Sequence, residues 1–145
     1  MTSAEKVIFL DIDDVLNTLE SRQRGDLFDM NNVKALNAVL DFTSAGIVLT
    51  STWRLSASIS EWEEILHDAG IHARGRVLGT TPWIEGASRG IEIAYWLENA
   101  LCLVNCYAIF DDRDDMTPCT EHLLRTSPEH GLTIALAREA IGRLS

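Results

Sequence analysis

Three short apolar runs in this chain stop abruptly at clusters of polar side chains, and that repetition constrains the fold more than any other feature. Residues 7–10 (Val-Ile-Phe-Leu) run into Asp11, Asp13 and Asp14; residues 47–49 run into Thr50, Ser51, Thr52, Trp53 and Arg54; residues 107–110 run into Asp111, Asp112, Arg113, Asp114 and Asp115. Short, unbroken apolar runs suit strands covered on both faces, as in parallel sheets. Between them lie helical patterns. Asn31 or Asn32 caps a helix carrying Val33, Leu36, Val39 and Leu40, with Gly46 marking its exit. Ser58 and Ser60, followed three residues later by Glu61 and Glu63, form overlapping capping boxes before a helix through Ile65, Leu66 and Ala69 that Gly70 ends.

Ser88 caps a third helix with an apolar face of Ile91, Ala94, Tyr95, Trp96 and Leu97, and Thr133 caps a last one carrying Ile134, Leu136, Ala137, Ala140, Ile141 and Leu144. A further strand falls near Val77, residues 79–83 read as a turn, Leu123 and Leu124 form a short edge strand, and residues 18–30 read as a polar loop or flap. Strands alternating with helices predict an α/β fold: a three-layer, Rossmann-like open sheet, mainly parallel, with helices on both faces. Residues 1–145 are expected to form a single domain.

Composition removes several function classes. A formal net charge of −10 disfavours an extended grip on nucleic-acid backbone, leaving room only for a local basic pocket. With Lys6 and Lys34 as the only lysines, candidate phosphate contacts are guanidinium groups able to bind in bidentate fashion. Cys102, Cys106 and Cys119 form no metal-binding spacing and are expected as free thiols. No apolar run is long enough to span a membrane and the N-terminus does not read as a signal peptide, so the expectation is a cytoplasmic protein without membrane attachment. Nothing in the sequence signals an obligate protein partner.

Parallel sheets gather their sites beyond the carboxyl ends of the strands. The three polar clusters therefore meet at one edge. Carboxylates packed this closely repel unless a cation lies between them. Arg89 joins them from a helix start, where a cation opposes the helix dipole, so a purely stabilising role for it is unattractive. An acidic pocket for one hard cation, hydroxyl and backbone donors, and a guanidinium are the parts needed to hold a phosphate beside a nucleophilic carboxylate. Taken singly, Asp111 and Asp112 would be a turn more often than a site, and Trp53 more often packing than a base platform.

At this point the chain resembles the haloacid dehalogenase-like (HAD) phosphohydrolases. Residues 11–15 (Asp-Ile-Asp-Asp-Val) are similar to their first motif, DxDx[TV]; Ser51 to the second, Arg89 to the third, and Asp111 with Asp112 to the fourth. The strings at 51–54 (Ser-Thr-Trp-Arg), 89–97 and 109–113 are similar to HAD domains of RNA repair, including polynucleotide phosphatases.

The resemblance implies that Asp11 is the nucleophile and Asp13 the general acid and base. It implies Mg2+ as cofactor, held by Asp11, the Asp13 backbone carbonyl and the pair Asp111 and Asp112, with Asp112 direct and Asp111 direct or through water. Ser51, favoured over Thr50, and the Thr52 N–H would bind phosphate, and Arg89 would offset its charge. Where many relatives carry Gly, this chain has Asp14, expected to point into the flap, cap a turn or meet Arg22 or Arg24.

With no room for a substantial cap, the site is expected to be open. Openness in this family implies a large phosphorylated substrate such as an RNA or DNA end, with Arg54, Arg113 and Trp53, and also Arg22 and Arg24, available at the mouth. Two alternatives remain: a phosphatase of small phosphometabolites or nucleotides, and a non-enzymatic phosphoacceptor or binding domain.

Overall fold

The computed structural model describes residues 4–50 and 52–145, except for the side chains of Ala4 and Arg54. Five strands form one all-parallel sheet in the order β3-β2-β1-β4-β5. They are β1 (Ala4–Leu10), β2 (Gly46–Leu49), β3 (Val77–Thr80), β4 (Leu103–Asp111) and β5 (Leu123–Arg125). The helices are α1 (Leu19–Gln23), α2 (Met30–Thr43), α3 (Ile59–Asp68), α4 (Arg89–Asn99) and α5 (Ile134–Arg143).

Alternating side chains of the central strands serve two separate cores. Ile8, Leu10, Ile47, Leu49, Ala108 and Phe110 face α2, α3 and α5, whereas Val7, Phe9, Val48 and Ile109 face Ile93 of α4 together with Met116 and Cys119. These two covered faces make the three-layer, Rossmann-like α/β fold. Because both neighbours of β1 are parallel to it and lie on opposite sides, the chain reverses its direction of travel across the sheet at β1. That reversal opens a crevice beyond the end of β1.

The connection from β1 to α2 differs from the loop expected there. Thr18 caps the five-residue α1 in a capping box with Ser21, a helix too short to display an apolar period. The cap of α2 is Asp29, whose carboxylate accepts the N–H groups of Asn31 and Asn32. Asn32 instead donates to the His130 and Leu132 carbonyls. Ser44, in the left-handed region, is the C-cap of α2, and Gly46 is already the first residue of β2. Ser58 alone caps α3; Ser60 lies inside it. β3 continues through Gly79 and Thr80, which the sequence places in a turn. No inserted cap domain is present among the described residues.

On α4 the buried face is also rotated from expectation. Ile91 and Tyr95 are about half exposed, and Gly90 and Ile93 are buried in their place. A Cβ on Gly90 would overlap the Met116 and Thr117 carbonyl oxygens, so only glycine lets this helix start lie against the loop after β4. Gly90→Ala is expected to cost at least ~2 kcal/mol, since backbone rather than a side chain would have to yield. A lowered thermal midpoint checks this; an unchanged one would show that the loop can move aside.

Candidate active site

Each polar cluster sits where the strand ladder ends. The Asp11 N–H donates to the Phe110 carbonyl (3.1 Å), the Thr50 N–H to that of Leu10 (3.0 Å) and the Thr126 N–H to that of Asp111 (2.9 Å), so the pairing runs one residue past the strands and fixes the relative heights of their ends. Asp11, Asp111 and Asp112 thereby each offer a carboxylate oxygen within 4.8 Å of one another. Asp11 and Asp111 are buried and Asp112 is half-buried.

Arg89 reaches this group from the first residue of α4. Its Nη1 lies 2.8 Å from Asp111 Oδ2 and 3.4 Å from Asp11 Oδ1, with the guanidinium buried. The Arg89 Nε, also buried, has no hydrogen-bond partner among the described residues. The helix start is held in turn by Asp115, whose carboxylate accepts the Arg89 N–H (3.2 Å) and the Arg113 Nε–H (2.9 Å).

Two buried carboxylates share one guanidinium, and the charge does not balance. Burial first, then the neighbouring charge of Asp111, push the Asp11 carboxyl from its ordinary 3.8 up to about 8, against the opposing pull of Arg89 and the Ile12 N–H. Ionisation of this carboxyl near neutral pH needs further positive charge here. Three oxygen donors at this spacing, two of them buried, fit a hard divalent cation such as Mg2+.

Asp13 stands apart from the three-carboxylate group. Its Oδ1 accepts from Asn17 Nδ2 (3.0 Å) and its Oδ2 from Trp53 Nε1 (3.2 Å). Asp14 adopts φ 64°, a left-handed turn that short polar residues and glycine tolerate best, and pairs with Arg22 at 2.8 Å. Arg24 pairs with Glu20 and Asp26 beside it. Neither flap arginine is left facing the mouth as a free cation.

Thr52 lies in a short 3-10 helix and, with Arg89, Arg113 and Trp83, lines a small cavity of about 120 Å³. Ser51 and the Arg54 side chain lie outside the described residues. Thr50 is fully buried. Trp53 is not a platform at the mouth: it is half-buried, its ring 6.3 Å from that of Trp62, with its N–H turned to Asp13. The exposed tryptophan is Trp83, at 59%. Arg113 is exposed and paired with Asp115.

Cavity size alone would mislead about the site. A cavity of about 690 Å³ lies toward the start of β4, lined by Leu103, Cys106, Tyr107 and His122, and none of Asp11, Asp111, Asp112 or Arg89 lines it.

Sequence reasoning missed Asn17, Asp115 and Trp83. Asn17 follows the first acidic cluster by three residues, and Asp115 closes the same acidic run as Asp111, so both had a signal in proximity. For Trp83 the signal was its position directly after Pro82, in a segment too polar for a helix.

The family described as the HAD domain in Swiss Army Knife RNA repair proteins matches residues 7–137. No curated protein and no solved structure gives a significant match.

Proposed function

Because the chain belongs to the HAD domains of Swiss Army Knife RNA repair proteins, we propose that it is a Mg2+-dependent phosphomonoesterase acting through Asp11 on phosphorylated nucleic-acid ends. The observation that carries this reading is the convergence of Asp11, Asp111, Asp112 and Arg89 beyond the ends of β1 and β4. Asp11 attacks phosphorus, the bond to the leaving oxygen breaks, and Asp13 delivers its proton to that oxygen. Asp13 then takes a proton from water as the water attacks phosphorus. The bond to Asp11 breaks, inorganic phosphate leaves and the carboxylate is restored.

Asp11, Asp112 and the Asp13 backbone carbonyl would hold the Mg2+, with Asp111 directly or through water. When bound, the ion would supply positive charge that keeps Asp11 ionised and lets a phosphate dianion approach. Arg89, whose buried Nε has no partner among the described residues, contacts the phosphate together with Ser51 and the Thr52 N–H. No substantial cap covers the site among the described residues, so the substrate itself excludes bulk water. Arg54, Arg113 and the exposed Trp83 are the contacts at its mouth, the last by stacking on a base.

The test compares hydrolysis of 3′- and 5′-phosphorylated oligonucleotides, mononucleotides and an aryl phosphate, with Mg2+ and with a chelator. Oligonucleotide ends are expected to be preferred, and the chelator to abolish turnover. Equal rates on mononucleotides would favour a small-metabolite phosphatase. No Mg2+-dependent release of phosphate from any of them would sink the phosphatase reading and leave a binding or phosphoacceptor domain.

A further inference from the structure

Asp13 is held on both carboxylate oxygens, and the two donors come from different parts of the chain. Asn17 Nδ2 reaches Oδ1 at 3.0 Å from the turn that follows β1, and Trp53 Nε1 reaches Oδ2 at 3.2 Å from the 3-10 helix that follows β2. Each donor is itself fixed. Asn17 Oδ1 accepts the Asp14 N–H (2.8 Å) and an Arg22 N–H (2.6 Å), which leaves its amide nitrogen facing Asp13. The Trp53 ring lies against Trp62, a residue of α3 that is 1% exposed, so the core sets the direction of the indole N–H.

We propose that Trp53 is a positioning residue: with Asn17 it locks the Asp13 carboxyl plane so that a proton can pass to the leaving oxygen. The inference rests on the phosphatase reading above. An aspartate carboxyl otherwise rotates broadly about its terminal torsion, and Asp13 is only half-buried, so packing alone does not hold it. One donor on each oxygen fixes the plane while leaving each oxygen a second lone pair. Tryptophan suits this task because its nitrogen only donates. It cannot compete with Asp13 for the proton being transferred.

A general acid matters in proportion to how poorly the leaving group departs by itself. A nitrophenolate leaves without being protonated, whereas the sugar alkoxide of a nucleotide end does not. The experiment is therefore a ratio: the kcat/KM on an end-phosphorylated oligonucleotide, which reports the step that releases the leaving group, divided by that on p-nitrophenyl phosphate, in wild type and in Trp53→Phe. The substitution keeps a ring against Trp62 and removes the donor. The ratio is expected to fall about tenfold.

Partial unfolding would lower both rates together and cancel in the ratio, so an unchanged ratio in an active variant overturns the proposal. Trp53→Gln, which loses the ring but keeps an N–H donor, should retain more of the wild-type ratio than Trp53→Phe does. The reverse order would also overturn it. Wild-type protein inactive on both substrates would instead be a failure of the phosphatase reading itself.

Discussion

Asp11→Asn is expected to lower phosphatase turnover by at least ~10³-fold, the scale on which removal of a nucleophile acts, and at the same time to make the metal-free protein more stable at alkaline pH. The second effect follows from burial. In the folded protein the Asp11 carboxyl keeps its proton up to about pH 8, whereas the unfolded chain releases it near 3.8. The native state therefore binds the extra proton between those values, and its stability declines as pH rises through that window.

Below about pH 4 there is no penalty, and above about pH 8 it no longer grows. Asparagine carries no charge to bury, so the variant escapes this decline. Thermal midpoints measured in chelator should diverge in favour of the variant as pH rises across the window. Parallel curves would mean that Asp11 titrates alike in the folded and unfolded chain. Added Mg2+ should raise the wild-type midpoint above pH 8, because the ion meets a carboxylate already stripped of its proton.

Arg89→Ala acts in the opposite direction. Its guanidinium is the cation that bridges the buried Asp11 and Asp111. Its removal leaves buried negative charge without a partner, a change that costs about 3–5 kcal/mol. Urea unfolding at neutral pH should show that loss, and Mg2+ should recover part of it. Arg89→Lys should fall between the two, since an ammonium restores the positive charge but sits on a flexible stem and lacks the fixed planar donors of the guanidinium. An alanine variant as stable as wild type would show that the pair does not depend on Arg89.

The three carboxylates that the structure brings together were legible because strand ends are where a parallel sheet exposes polar residues, and Arg89 because a cation at a helix start is unusual. The apolar runs before Asp11, Thr50 and Asp111 are sharp enough to fix those ends. What escaped had no period to read. α1 is a single five-residue turn set by its cap, and the rotation of α4 follows from one backbone contact at Gly90 that no local pattern encodes. Trp53 was offered for the mouth although packing is the commoner role of such a residue, and its ring does lie beside Trp62, nine residues on. The charge on Asp14 met Arg22, one of the partners its surroundings allowed.

The lengths of the strands carry a consequence for the molecule in company. β3 and β5, the outer members of the sheet, contribute four and three residues, while the nine-residue β4 lies inside. Where β4 runs on past β5, the His122 ring stacks on Tyr107 at 3.9 Å and its Nδ1 lies 3.2 Å from the Tyr107 carbonyl. β3 and β5 are themselves too short to offer another chain a long row of open backbone groups, and the stretch of β4 that β5 leaves unpaired is met by His122 at Tyr107. With a net charge of −10 adding mutual repulsion, crowded copies are discouraged from stacking edge to edge.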